Sequence, residues 1–328
     1  MNHQPSIQDL IRGITSNDKR LLGKAITLIE SKKTEHRNQA EDLLKQILPF
    51  TGKSIRIGIT GVPGAGKSTF IESFGKLAIN HGKKVAVLAI DPSSSLNKGS
   101  ILGDKTRMEE LAKSPNAFIR PSPSSGFLGG VANTTFETML LCEAAGYDYI
   151  LIETVGVGQS ETLVSDITDI FLFLKIIGGG DELQGIKRGI MEMVDLIFIN
   201  KVDEDNLQKA KNTRLELIRA LQFLPSKEKD WKVPVLLGSA LNHIGLQEIF
   251  EKISQFIELK NKNGRFTEVR RQQAEKRFEY WVREYILEQT RKNNTLETAY
   301  KRHKENVSSL SYNPSSEAKA FVDQLLNK

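Results

Sequence analysis

The sequence predicts an α/β fold: a mostly parallel sheet flanked by helices, with a helical extension before it and a helical arm after it. Three observations carry this. Between Ser54 and about Gln255, short apolar, β-branched runs alternate with helical stretches, the pattern of strands joined by crossover helices. Residues 5 to 48 repeat apolar side chains at three- and four-residue spacing, and beyond Lys260 the chain turns helical again.

In the extension the spacing runs through Ile7, Leu10, Ile11 and Ile14, then Leu21, Leu22, Ala25, Ile26 and Ile29, then Leu43, Leu44, Ile47 and Leu48. Strands are expected at Ile55 to Thr60, Lys84 to Ile90, Ala117 to Arg120, Tyr149 to Glu153, Asp169 to Leu174, Leu196 to Asn200 and Val233 to Leu237. Such a sheet binds ligands at the carboxyl ends of its strands. Pro121 to Gly130 is the one loop-like stretch dense in Pro, Ser and Gly. In the arm, Ala274, Phe278, Trp281, Val282 and Tyr285 share one helical face, which needs a partner in the core or in a second copy of the chain. The expected organisation is an extension at 1–50, a central domain at 51–259 and an arm at 260–328.

The 328 residues, 39% hydrophobic and 26% charged, have an ordinary globular composition with enough length to bury a large core. No apolar run is long enough to span a bilayer and the first residues lack a signal pattern, so a cytoplasmic protein without membrane association is expected. Cys142 is the single cysteine, which excludes an intramolecular disulfide or a cysteine-based metal cluster within one chain. Residues 260 to 328 hold 15 basic and 9 acidic side chains, the whole of the net +6. The excess is interspersed along helices and no nucleic-acid motif accompanies it, so a solvated face is expected rather than a nucleic-acid partner.

Gly61-Val62-Pro63-Gly64-Ala65-Gly66-Lys67-Ser68 matches GxxxxGK[ST], follows an expected strand and opens the helical stretch that starts at Thr69. Glycines let the backbone wrap phosphates with its N–H groups, the helix N-terminus adds its positive end, and Lys67 brings a point charge. Ser68 is placed to ligate Mg2+. The fold class thereby narrows to a P-loop NTPase. Tyr149 to Glu153 is an apolar strand ending in a carboxylate, followed by Thr154-Val155-Gly156, the form of a strand whose acidic end holds magnesium. The motif here is ExxG rather than the commoner DxxG, which gives Glu153 a longer reach. Gly156 allows the loop backbone to approach a γ-phosphate.

Asn200-Lys201-Val202-Asp203 matches NKxD after a strand. Its aspartate accepts the two donor N–H groups of guanine, and adenine, which lacks them, would leave a carboxylate unsatisfied. Ser239-Ala240-Leu241 fits the supporting loop whose backbone contacts the guanine carbonyl. GTP and GDP are therefore the expected ligands.

The motifs GVPGAGKSTF at 61 to 70, AIDPSS at 89 to 94, GSILGDKTRM at 99 to 108, ETVGVGQSE at 153 to 161, DELQGIKRGIMEM at 181 to 193 and NKVD at 200 to 203 resemble the MeaB/ArgK family of P-loop GTPases, whose human relative serves methylmalonyl-CoA mutase. Val202 and the Lys175-Ile-Ile run depart slightly from the family pattern without touching a motif residue. The resemblance implies that Asp91 and Asp104 lie near the magnesium and the attacking water, beside Lys67 and Glu153; otherwise they are loop and N-cap aspartates. Arg107 is either a phosphate stabiliser or a surface residue. It further implies a partner-sensing loop at Gly178 to Lys187, with Asp181, Glu182 and Lys187, and a γ-phosphate sensor from Val155 to Glu161 that includes Gln159. The implied activity is GTP hydrolysis, slow alone. It would gate adenosylcobalamin delivery to a cobalamin-dependent acyl-CoA mutase, and protect or reactivate that enzyme, from a homodimer joined by the arm. The competing readings are an ATPase or kinase linked to amino-acid transport, against which NKVD argues, and a metallochaperone GTPase, for which five scattered histidines give little support.

Overall fold

The structure is a computed structural model that describes residues 5–31, 33–91, 108–123, 128–154, 160–177, 188–225 and 227–326. The chain opens with α1 (Ile7–Thr15), α2 (Lys19–Ile29) and α3 (Thr34–Ile47). It continues through β1 (Ile55–Gly61), α4 (Lys67–Asn80), β2 (Val85–Asp91), α5 (Glu109–Lys113), β3 (Ala117–Pro123), α6 (Leu128–Ala144) and β4 (Tyr149–Glu153). Then come α7 (Ser160–Ser165), β5 (Ile170–Ile176), α8 (Arg188–Met193), β6 (Leu196–Asn200), α9 (Leu207–Gln222), β7 (Val235–Leu237) and α10 (Leu246–Lys262). The last three helices are α11 (Arg265–Lys292), α12 (Asn294–Ser308) and α13 (Pro314–Leu326).

The seven described strands form one sheet in the order β3-β2-β4-β1-β5-β6-β7, and every neighbouring pair is parallel. β1 lies inside, with Ile57 opposite Leu151 of β4 and Ile170 of β5. The chain leaves β1 in one direction for β2 and β3, returns through β4, and then builds β5 to β7 on the other side. That reversal beside β1 opens a crevice at the carboxyl ends of the strands.

Strand side chains alternate between two cores. On one face Ile59, Val87, Leu151, Leu172 and Phe198 pack with Phe70 and Phe74 of α4 and Ile253 and Phe256 of α10. On the other, Leu88, Ile152, Phe173 and Ile199 pack with Met139 and Leu141 of α6 and Leu217 of α9. The N-terminal helices join this second core: Leu10, Ile14, Leu22, Ile26, Leu43 and Ile47 are all buried within it. Their starts are specified locally. Ser6 and Asp9 exchange bonds in a capping box, and Asp18 accepts from the backbone of Arg20 and Leu21.

A buried ion pair joins β1 to α6. Arg56 Nε of β1 donates to Glu143 Oε1 of α6 at 2.6 Å, and Glu143 Oε2 accepts from the Gly52 backbone at 2.7 Å. Both side chains are buried, at 6% and 1% exposure. Arg56→Ala leaves a buried carboxylate without its cation and should lower the unfolding free energy by about 3–5 kcal/mol. Denaturant unfolding measures it, and a loss below about 1 kcal/mol would show that the pair does not hold the layers.

Contacts divide the chain into two compact units, Met1–Phe266 and Thr267–Lys328. In the second, α12 and α13 pack through Leu296, Ala299 and Phe321, with Tyr300 edge-on to Phe321 at 5.4 Å. On α11, Phe278 is 71% exposed and Ile286 46%, with Val282 and Tyr285 exposed alongside. Among the described residues, no helix is long and apolar enough to cross a membrane.

Candidate nucleotide site

β1 delivers the chain to the crevice at Gly61, and the turn that follows is closed by Ala65 N donating to Val62 O at 3.0 Å. Gly66 adopts φ +85°, a left-handed conformation that a side chain resists, and a Cβ there would lie 2.7 Å from Asn200 Nδ2. α4 then starts at Lys67, so the backbone N–H groups of its first turn face the loop. Lys67 is 8% exposed, and its Nζ donates to Gly61 O at 2.8 Å. Burial pulls its ammonium below the ordinary lysine range, while Glu153 and Glu161 act in the opposite sense. Ser68 Oγ donates to Glu153 Oε1 at 3.2 Å, so the end of β4 meets the phosphate loop. Beneath it the buried hydroxyls of Thr154 and Thr60 are bonded at 3.0 Å.

The second half of the site hangs on Asn200, 2% exposed at the end of β6. Its Nδ2 donates to Ala65 O at 2.9 Å and its Oδ1 accepts from Ala240 N at 2.8 Å. One side chain thus joins the phosphate loop to the loop after β7. Lys201 takes φ +62°, which turns the chain over Gly66, and Val202 N returns to Gly238 O at 3.0 Å. Asp203 is exposed and held from behind: its Oδ1 accepts from Asn206 N, its own N donates to Asn206 Oδ1, both at 3.0 Å, and Asn206 Nδ2 donates to Lys201 O at 2.9 Å. Gly66, Thr69, Asn200, Lys201, Asp203, Ser239 and Leu241 line one cleft of about 290 Å³.

The structure therefore brings together residues 61–69, Glu153, Asn200, Lys201, Asp203 and 239–241. Asp91 closes β2, two positions beyond the Ala89 that pairs with Glu153; its backbone alone is described. Asp104, Arg107, Gly156, Gln159, Asp181, Glu182 and Lys187 lie outside the described residues. Sequence reasoning overlooked Asn206, and it took Glu161 only as the end of the sensor segment, not as the buried carboxylate that acts on Lys67. Asn206 had a visible signal, an Asx residue three positions after Asp203 and just before a helix. Asn206→Ala should weaken GTP binding about tenfold without altering the preference for guanine over adenine, since it frees Asp203 but keeps its carboxylate. Titration with both nucleotides checks this, and equal loss of affinity and selectivity would contradict it.

The family described as Methylmalonyl Co-A mutase-associated GTPase MeaB matches residues 22–295, which contain every element of this cleft. The chain is a MeaB-family P-loop GTPase. Among MeaB relatives it is 48% identical to GTPase ArgK of Escherichia coli, over 88% of this chain and 86% of that one. It is 47% identical to the methylmalonic aciduria type A homolog, mitochondrial, of Mus musculus, over 77% of this chain and 63% of that protein. A solved structure described as LAO/AO transport system kinase superposes with a TM-score of 0.78 at 37% identity and covers 99% of both chains. GTP hydrolysis is thus the activity to which the geometry of this MeaB-family site belongs.

Proposed function

We propose that the protein is a nucleotide-driven chaperone that gates delivery of adenosylcobalamin to a cobalamin-dependent acyl-CoA mutase, methylmalonyl-CoA mutase being the client, and protects or reactivates that enzyme. The observation that carries the reading is the match to a mutase-associated family over residues 22–295, combined with a cleft built around Asn200 and Asp203 for a guanine base.

In this reading the N–H groups of residues 61–69 hold the phosphates, with the Lys67 ammonium on the β- and γ-phosphates. Asp203 reads guanine, Asn200 and Lys201 buttress it, and the backbone of the loop at 239–241 would contact the base carbonyl. The donors fit magnesium: Ser68 Oγ and Glu153 Oε1, hard oxygens 3.2 Å apart, stand at the loop mouth. The family resemblance would add the carboxylates of Asp91 and Asp104. When bound, the ion would neutralise charge on the transferred phosphoryl group. Residues 155–159 begin two positions after Glu153, so a change at the γ-phosphate has a short covalent path to them. Gln159, Asp181, Glu182 and Lys187 would carry the state to the mutase. The exposed stripe at Phe278, Val282 and Tyr285 would pair two copies into a homodimer, and the protein would work in the cytoplasm without nucleic acid.

Purified methylmalonyl-CoA mutase should raise the GTP hydrolysis rate at least about tenfold, as partner-stimulated GTPases do. An unchanged rate would remove the client and leave the GTPase. The solved relative's kinase name favours a second reading, transfer from ATP to a transport protein. It requires ATP to be preferred over GTP in direct competition.

A further inference from the structure

Away from the nucleotide cleft, α1, α2, α3 and β3 enclose a groove of about 1080 Å³, at the upper end of the size range of small-molecule sites. Leu10 and Leu28, both buried, form an apolar floor, while Arg20, Lys24, His36 and Arg120 stand on its walls. Among the described residues no carboxylate lines it. Arg20 and Lys24 lie one turn apart on α2, both exposed, so their charges project along one rim.

Arg120 comes from β3 and is held from behind by Glu30, to which its Nη2 donates. The pairing is incomplete. Arg120 Nε and Glu30 Oε1 are both buried and neither finds a hydrogen-bond partner, although buried polar groups are almost always satisfied. Burial pushes the Glu30 carboxyl up against the pull of the guanidinium. Hydrophobic residues of the three N-terminal helices already pack on one another and on α6 in the second core, so packing alone does not require three cations around an open, apolar-floored space.

We infer that this groove is a second binding site, for a small organic anion that places a phosphate or carboxylate against Arg20, Lys24 and Arg120 and an apolar body on Leu10 and Leu28. The cations supply orientation and charge recognition, and the floor supplies most of the buried apolar area. Neither depends on nucleotide chemistry, and the site belongs wholly to the first unit of the chain.

The test uses full-length protein saturated with GDP, so that the nucleotide cleft is filled. The probe is 8-anilinonaphthalene-1-sulfonate, an anion on an aromatic body, followed by fluorescence. Saturable binding is expected, displaced by inorganic pyrophosphate if the natural head is a phosphate and by octanoate if it is a carboxylate on an apolar chain. The double variant Arg20→Glu, Lys24→Glu should bind the probe at least tenfold more weakly with an unchanged melting temperature, because both side chains are exposed. A control variant Lys209→Glu, Lys211→Glu on the exposed face of α9 should bind as the parent does. The inference is overturned by non-saturable binding, by displacement with neither competitor, or by equal weakening in the two double variants.

Discussion

Asp203→Asn is expected to convert a guanosine-selective protein into a xanthosine-selective one. Guanine presents a ring N–H and an amino group side by side, and a carboxylate accepts both. An asparagine keeps one acceptor but turns its own amide N–H toward the guanine amino group, donor against donor. Xanthine carries an oxygen at that position and restores the pair. Hydrogen bonds to a charged group contribute about 1.5–3 kcal/mol each, so GTP affinity should fall on the order of a hundredfold while that for xanthosine triphosphate rises. The framework survives because the amide side chain would retain an Oδ1 able to accept from the Asn206 backbone, as the carboxylate of Asp203 does. Titrating both nucleotides into parent and variant measures the exchange; a GTP affinity within about threefold of the parent would mean that Asp203 does not read the base.

Lys67→Ala should lower the GTP hydrolysis rate by about two to three orders of magnitude, the usual effect of removing one preorganised donor from developing charge. The same change separates chemistry from folding. Lys67 is 8% exposed and its burial disfavours the ammonium, so removing the charge removes a desolvation penalty along with the bond to Gly61 O. Thermal unfolding of the variant should therefore lie close to the parent while single-turnover hydrolysis collapses. A parent-like rate would take Lys67 out of the reaction, and a collapse of stability would make the loss of activity a folding effect.

Much of the architecture was legible because a parallel sheet buried on both faces writes near-continuous apolar runs. Tyr149–Glu153 and Leu196–Asn200 match their expected ranges at both ends. The β3 expectation stopped at Arg120 because Pro121 and Pro123 look like breakers; the strand continues to Pro123 on the edge of the sheet, where a missing N–H costs no ladder bond. β7 begins at Val235, two residues later than expected, because Pro234 precedes it. Strand order left no trace in periodicity, since the insertion of β4 between β1 and β2 depends on contacts between segments far apart in the chain. The depth at which the N-terminal helices join the core was hidden for the same reason, as their pattern shows an apolar face but not what covers it. In the cleft, the motifs announced Lys67, Ser68, Glu153 and Asp203, whereas the bonds that hold them, Asn206 behind Asp203 and Thr60 under Thr154, are made by residue types too common to stand out.

Asn200 has a consequence for synthesis. Its bonds reach 135 residues back to Ala65 and 40 residues forward to Ala240. On the ribosome the phosphate loop emerges early, yet the clamp over it forms only after the loop following β7 has left the exit tunnel. A chain truncated before Ala240 would carry every phosphate-loop residue without the second anchor of Asn200. Vectorial emergence therefore delays a complete nucleotide cleft until synthesis has passed well beyond Ala240.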